Sequence, residues 1–433
     1  MENKILLGNC LELLKTLPSE SVDAIVTDPP YELGFMGKKW DASGIAYNVE
    51  LWAECLRVLK SGGHLLAFSG TRTYHRMAVA IEDAGFEVRD MLEWVYASGF
   101  PKSLNVGKAV DKLQGNEREV VRKIKYGDKS KEGYNPYHAT KETQATGHIL
   151  PTSEPLLTKG YSPYEGFGTA LKPAHEPICM ARKPLSEKTI VENVLKHGTG
   201  AIDIDGCRIG MSQEDTDMLE GKSSKNPTGK KAQNVPFVEG IASRPNQQGR
   251  FPANIICTDD ALNDGAMTKS GGGVRNGKQS IFGQEGDSET VREFDSNSGS
   301  KSRYFDIDVW AEKHGLLQFP KASKAERNKG CNECEGEVRF ASENGSGKMM
   351  FSKLNKPHKV KGNFHPTVKP VHLMAWLIRL VSKEGDIVLD PFGGSGTTGV
   401  ACNMLNRKFI LMEQSEEYVE IIKSRTSKLK QLF

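Results

Sequence analysis

The sequence predicts an α/β protein: a doubly wound sheet whose strands come from both ends of the chain, with a long region inserted between them. Three observations carry this. The first hundred residues alternate strand and helix patterns, the residues from about 361 onward do so again, and neither end has enough strands to make a stable sheet alone. A chain of 433 residues is long enough for such a divided core.

The first end reads as follows. "KILLGN" is a strand, and Asn9 with Glu12 is a capping box for the helix "CLELLKTLP". "VDAIVTD" is a buried strand by its continuous apolar run. Val49, Trp52, Ala53, Leu56 and Leu59 share a helical face, and Gly62 and Gly63 stop that helix. "HLLAFSG" is a strand, "TYHRMAVAIEDAG" a helix and "FEVRDMLEWVYA" a further strand. The pattern has parallel-sheet character.

The middle is different. A basic polar insertion at about 101–165 precedes one convincing strand, "HEPICMARK", and then come tracts rich in Gly, Ser, Asn and Asp such as "KSGGGVRNGKQS". Loops of that length carry function or stay disordered. We divide the chain into a first half of the sheet domain at 1–185, an inserted region at 186–350 and a second half at 351–433. In that second half Pro370 opens a helix with Val371, Met374, Leu377, Ile378 and Val381 as its buried stripe. The strand "DIVLD", a glycine turn, a helix, the strand "FILME" and a helix from Ser415 follow.

The formal charge of +3 excludes a generic polyanion binder. Locally, Phe351 to His372 holds Lys353, Lys356, Lys359, Lys361 and Lys369 and no acid, which suits either a phosphate-facing surface or a solvated loop. No apolar run reaches the ~18 residues needed to span a bilayer, and "MENKILLGN" lacks a signal-peptide pattern, so the protein is read as cytosolic with no membrane partner. The eight cysteines are scattered, as reduced thiols are. Cys331 and Cys334 form a C-x-x-C with no second pair at zinc spacing; a metal would need Cys207, Cys257 or His365, and none is expected.

In a doubly wound sheet the chemistry sits at the carboxyl ends of the strands, near the point where strand order reverses. Two motifs meet there. One is the turn Asp390, Phe392, Gly393, Gly394, Ser395, Gly396, Thr397, with Glu413 at the end of the next strand, a spacing at which an acid reaches ribose hydroxyls. The other is Asp28, Pro29, Pro30, Tyr31, whose two prolines hold the acid and the phenol rigidly after a buried strand. Read by themselves, the glycines also fit a plain turn, and Tyr31 a packed ring.

Together these motifs resemble the amino-group DNA methyltransferases, specifically the β class, in which the catalytic motif comes first and the cofactor motifs last. The stretches are "GNCLELLKTLPSESVDAIVTDPPY" at one end and "HPTVKPVHLMAWLI", "DIVLDPFGGSGTTG" and "ILMEQSEEY" at the other. "AFSGTRTYHRMAVAIEDAGFEVRD", "SGFPKS" and "ALKPAHEPICMARKPL" look like phage and prophage members. Asn9 departs from the Asp that many relatives carry after the glycine, keeping an acceptor and losing the charge.

The resemblance implies a Rossmann-like methyltransferase sheet with 186–350 as target-recognition region, S-adenosyl-L-methionine as cofactor and double-stranded DNA as partner. It also implies that Thr367 and Lys369 lie beside the cofactor's methionine carboxylate, and that Glu413 receives its ribose hydroxyls. Asp28 and the Pro29 carbonyl would accept the hydrogens of an exocyclic amino group, and Tyr31 would stack on a flipped base. Arg208, Arg244, Arg250, Arg275 and Arg303 are candidates for guanine edges or phosphates. None of the cysteines follows a proline, against methylation at cytosine carbon five, and Asp before Pro-Pro-Tyr points to adenine rather than the cytosine amino group. The rivals are a non-catalytic DNA-binding relative and, on the glycines alone, a nicotinamide oxidoreductase. A homodimer and a restriction-endonuclease partner both fit the resemblance.

Overall fold

In the computed structural model the described residues are 2–34, 39–97, 99, 103–123, 156–210, 249–258, 262, 268–269, 273–277, 290–294, 298–299, 305–314, 324–329, 331, 334–338, 342–343, 349–350 and 358–427. Among them eight strands form one sheet: β1 Lys4–Leu7, β2 Val22–Thr27, β3 Leu59–Phe68, β4 Glu87–Val95, β5 His175–Arg182, β6 Ile255–Cys257, β7 Ile387–Asp390 and β8 Lys408–Glu413. Their order is β1-β8-β7-β2-β3-β5-β4-β6. The last two strands in sequence thus lie between β1 and β2, as the divided-sheet reading requires. Val388 and Leu389 of β7 pair with Ala24 and Ile25 of β2.

Among these strands only β5 runs antiparallel to its neighbours, wedged between β3 and β4. Its continuous apolar run signals burial but not direction.

Helices cover both faces: α1 Cys10–Lys15, α2 Val49–Val58, α3 Tyr74–Asp83, α4 Ile190–His197, α5 Ile307–Lys313, α6 Lys324–Asn328, α7 Val371–Val381, α8 Thr397–Met404 and α9 Glu416–Ser427. Alternate residues of the strands feed two cores. Ile25, Leu65 and Ala67 pack with Leu14, Trp52 and Met77 on one side, and Val26, Leu66 and Phe68 pack with Trp376 and Trp310 on the other.

Several local expectations are corrected. The buried face of α2 is Leu51, Trp52, Cys55 and Val58, while Val49 is exposed, because Cys55 serves there as a small apolar side chain at helical spacing. That helix ends at Leu59, whose backbone turns extended and enters β3 directly, so Gly62 and Gly63 lie inside the strand. A Cβ on Gly63 would come within 2.9 Å of the Asp23 carbonyl, which is why glycine stands there. Helix α7 is buried almost all round, and Pro370 is its N-cap.

The expected boundary at 186 also moves. Trp310 and Ile307 of α5 and Ile256 of β6 are buried in the main core, so these parts of 186–350 belong to the same compact unit as the sheet, which comprises residues 1–98 and 174–433. Residues 99–173 form a smaller unit of their own. There a helix, Val106–Gln114, is capped by Asn105, and strands Glu119–Lys123 and Leu156–Lys159 pair antiparallel. Arg118 ties this unit together, bonding Asp111 and, at 2.7 Å, Glu165.

Candidate active site

Because β2 and β7 are neighbours, the two motifs end side by side. Thr27 Oγ1 donates to Asp390 Oδ1 at 2.7 Å, and Asp390 also accepts from Phe392 N at 3.0 Å and Thr398 Oγ1 at 2.6 Å. Both oxygens are thus held by the protein, and Asp390 braces the turn rather than presenting a free carboxylate. Burial raises its pKa to about 6 against the pull of these donors.

The glycine turn folds for reasons visible in its backbone. Gly394 and Gly396 have φ of 52° and 79°, the left-handed region, and Gly396 caps α8. Glu413 faces the turn from β8, accepting from Gly394 N and Ser415 N at 2.9 Å each; burial raises its pKa. From beneath, the buried guanidinium of Arg425 on α9 donates to the Ser395 carbonyl at 2.7 Å, to Ser395 Oγ at 2.9 Å and to Thr397 Oγ1 at 3.2 Å.

In front of the turn lies a cavity of about 430 Å³, within the size range of small-molecule sites. Asp28, Pro30, Thr367, Lys369, Phe392, Gly394 and Glu413 all line it, together with apolar Met412, Met374 and Tyr418. Asn9 lines it as well, and its side chain caps α1 by accepting from Leu11 N at 2.9 Å. His365 is neutral, its pKa lowered to about 4 by burial; its Nδ1 lies 2.6 Å from the Thr367 carbonyl and so must donate to it.

At the other motif, Asp41 supplies a cap that sequence reasoning missed: its Oδ1 accepts from Tyr31 N at 2.8 Å and Glu32 N at 3.1 Å. Pro29 is buried. Lys369 Nζ lies 2.6 Å from Asp28 Oδ2, 3.0 Å from Tyr31 Oη and 3.3 Å from Glu176 Oε2. Burial works against the ammonium, yet the carboxylates of Asp28 and Glu176 outweigh it and its pKa is raised. For Asp28 burial acts the other way, raising its pKa against the pull of the Lys369 ammonium. The other oxygen, Asp28 Oδ1, is buried and finds no hydrogen-bond partner among the described residues.

The expected place of Lys369 is beside a cofactor carboxylate; it lines the cavity, but its ammonium is engaged with Asp28 and Glu176. Glu176, at the start of β5, is the second residue missed. The only hint is an acid directly ahead of the apolar run in "HEPICMARK". Of the candidate arginines, Arg208 pairs with Asp205 at 2.7 Å and Arg250 donates to the Gly210 carbonyl at 3.1 Å. Arg244 and Arg303, and the side chain of Arg275, lie outside the described residues, as do Lys353 and Lys356. Cys331 is buried with its thiol pKa raised to about 12 by that burial, and among the described residues no group of three metal-ligating side chains is found.

Comparison with known proteins adds the family. A Type II methyltransferase of Lactococcus lactis subsp. cremoris, M2.LlaDCHI, is 44% identical over 75 residues, 17% of this chain and 28% of the relative. M2.DpnII of Streptococcus pneumoniae is 49% identical over 61 residues, 14% of this chain and 23% of the relative. The chain therefore matches about a quarter of the length of these curated relatives. Among solved structures, that of an M1.HpyAVI–SAM complex aligns over 98% of both chains at 16% identity with a TM-score of 0.38. The sequence profile of the DNA methylase family matches residues 22–424, from β2 into the last helix and so through both motifs and the sheet that joins them, and the chain belongs to that family.

Proposed function

We propose that the protein methylates the exocyclic amino nitrogen of adenine in double-stranded DNA, with S-adenosylmethionine as methyl donor. One observation carries the reading: Asp28 Oδ1, a buried acceptor that no donor among the described residues reaches, stands at the edge of a cofactor-sized cavity. Such an oxygen suits an amino group brought in by a substrate.

The cavity fits the cofactor in its chemistry. Glu413 offers carboxylate oxygens for ribose hydroxyls, Phe392 and Tyr418 offer aromatic faces that tolerate a cation, and Met374 and Met412 give an apolar wall. When bound, S-adenosylmethionine supplies an electrophilic methyl group carried on a sulfonium sulfur. The residues of the chain do the rest by position. An exocyclic amino nitrogen is a weak nucleophile because its lone pair is delocalised into the ring. Asp28 Oδ1 and the Pro29 carbonyl would accept its two hydrogens, draw it toward tetrahedral geometry and aim the lone pair. Ionised Asp28 is the stronger acceptor, and the Lys369 ammonium at Oδ2 favours that form against the burial that raises its pKa.

Residues 186–350, where not built into the core, serve in this reading as the target-recognition region, and Tyr31 as the platform for the flipped base. Asp at position 28 favours adenine over the cytosine amino group, which is the second reading. Mass spectrometry of nucleosides from DNA treated with the protein tests both: N6-methyladenine is expected, 4-methylcytosine would move the assignment to cytosine, and no methylated base would overturn the activity.

A further inference from the structure

Glu176 stands where β5, the antiparallel strand, meets the catalytic motif. Its Oε2 accepts from Tyr31 Oη at 2.7 Å and lies 3.3 Å from Lys369 Nζ, while its Oε1 accepts from Tyr96 Oη at 3.2 Å. Its side chain is only 19% exposed. A carboxylate so placed has work beyond folding, because the two groups it touches inside the site, a phenol and an ammonium, are also the two that touch Asp28.

We infer that Glu176 is a positioning residue for methyl transfer: it fixes the Tyr31 ring through its hydroxyl and shares the Lys369 ammonium with Asp28, so that Lys369 steadies Asp28 Oδ2 without drawing the carboxylate out of line. The inference rests on the proposed methyl transfer at Asp28. It gives Tyr31 a rigid orientation before any base arrives, which is what a stacking platform requires. It also makes a charge prediction. Asp28 is faced by Lys369 from the segment before α7, Tyr31 on its own loop, Glu176 on β5 and Asp390 on β7. Of these, Glu176 pushes the Asp28 pKa up and Lys369 pulls it down. Removing the Glu176 charge therefore lets Asp28 stay ionised to lower pH.

The test uses the full chain, tritiated S-adenosylmethionine and unmethylated genomic DNA. Glu176→Gln keeps the shape and removes the charge. It is expected to lower kcat about 10- to 100-fold, as small misplacements near reacting atoms do, with both KM values unchanged within a factor of about two. The acid limb of its kcat profile should move to lower pH. With Tyr31→Phe added, the combined loss should fall short of the product of the single losses by about threefold or more. Tyr96→Phe, which removes only the outer donor, should lower kcat less, and it carries the test should Glu176→Gln fail to fold. A variant with unchanged kcat, an acid limb that does not move, or losses that multiply fully would overturn the inference. A wild-type protein that transfers no label would instead overturn the methyltransferase reading on which it stands.

Discussion

Lys369 Nζ sits 2.6 Å from Asp28 Oδ2, joining the two ends of the chain across the candidate site. The pairing occupies one carboxylate oxygen and leaves Oδ1 without a partner among the described residues, the acceptor for an amino group in the function proposed above. Division of labour follows. Asp28→Ala should lower methyl transfer by about 100-fold or more, in the range seen when a group that stabilises the transition state is removed, with cofactor affinity within a few-fold of wild type. Glu413→Ala should show the reverse, weakening cofactor binding in calorimetry, because it removes the acceptor facing the turn and frees Gly394 N and Ser415 N together. Near-normal turnover in Asp28→Ala would refute the role given to it.

Arg425 holds the underside of the glycine turn from a buried position, and burial lowers its pKa to about 10. Arg425→Met keeps much of the volume and leaves the Ser395 carbonyl, Ser395 Oγ and Thr397 Oγ1 without their shared donor. The loss should destabilise the fold by about 2–3 kcal/mol and raise the KM for the cofactor more than that for DNA. Urea unfolding and steady-state kinetics check the two parts; an unaltered cofactor KM would show that the turn holds its shape without the arginine.

Asp390 predicts a pH effect with a definite sign. Its carboxyl keeps a proton up to about 6, above the unfolded aspartate value near 4, so between these values the folded state binds more protons than the unfolded chain. Its contribution to stability therefore falls as pH rises through that window and is flat above it. Relative to wild type, Asp390→Asn should gain up to about 3 kcal/mol between pH 4 and 6, since a pKa difference of about two is worth that much. Parallel stability curves for the two proteins would contradict the assignment.

The lysines ahead of "HPTVKP" give a salt test. Lys359 and Lys361 stand opposite Glu337 and Glu335 in a two-stranded pairing, which places acids next to the basic stretch. If all four of Lys353, Lys356, Lys359 and Lys361 touch phosphates, replacing them together should flatten the salt dependence of DNA binding by roughly 0.9 log units for each lysine–phosphate pair removed. An unchanged slope returns them to a solvated surface.

The parts of the fold that were legible depend on local signals. Continuous apolar runs marked β2, β3 and β7, paired prolines marked the rigid turn after Thr27, and glycines marked the turn before α8. What was not legible depends on partners far away in sequence. Cys55 joins the core, and Gly63 lies in a strand, because of what β2 and the neighbouring helices bring against them. Arg425 carries no local mark, and Glu176 only that of an acid ahead of an apolar run: each is an ordinary charged residue until the docking of α9, or the antiparallel insertion of β5, brings it to the site. The direction of β5 is a matter of pairing, and its apolar run fits either sense.

The pairing of Thr27 with Asp390 also sets when the protein can begin to work. The two residues are 363 positions apart, and closing so long a flexible loop costs ~5 kcal/mol in chain entropy before the packing of β2 against β7 returns anything. A ribosome releases β2 long before β7, so Asp28 is made well ahead of the turn that completes its cavity. Until then the inner edge of β2 is an unpaired apolar strand, the kind of surface that chaperones cover or that aggregates. Synthesis of the closing strands is thus the event that both protects this edge and assembles the site.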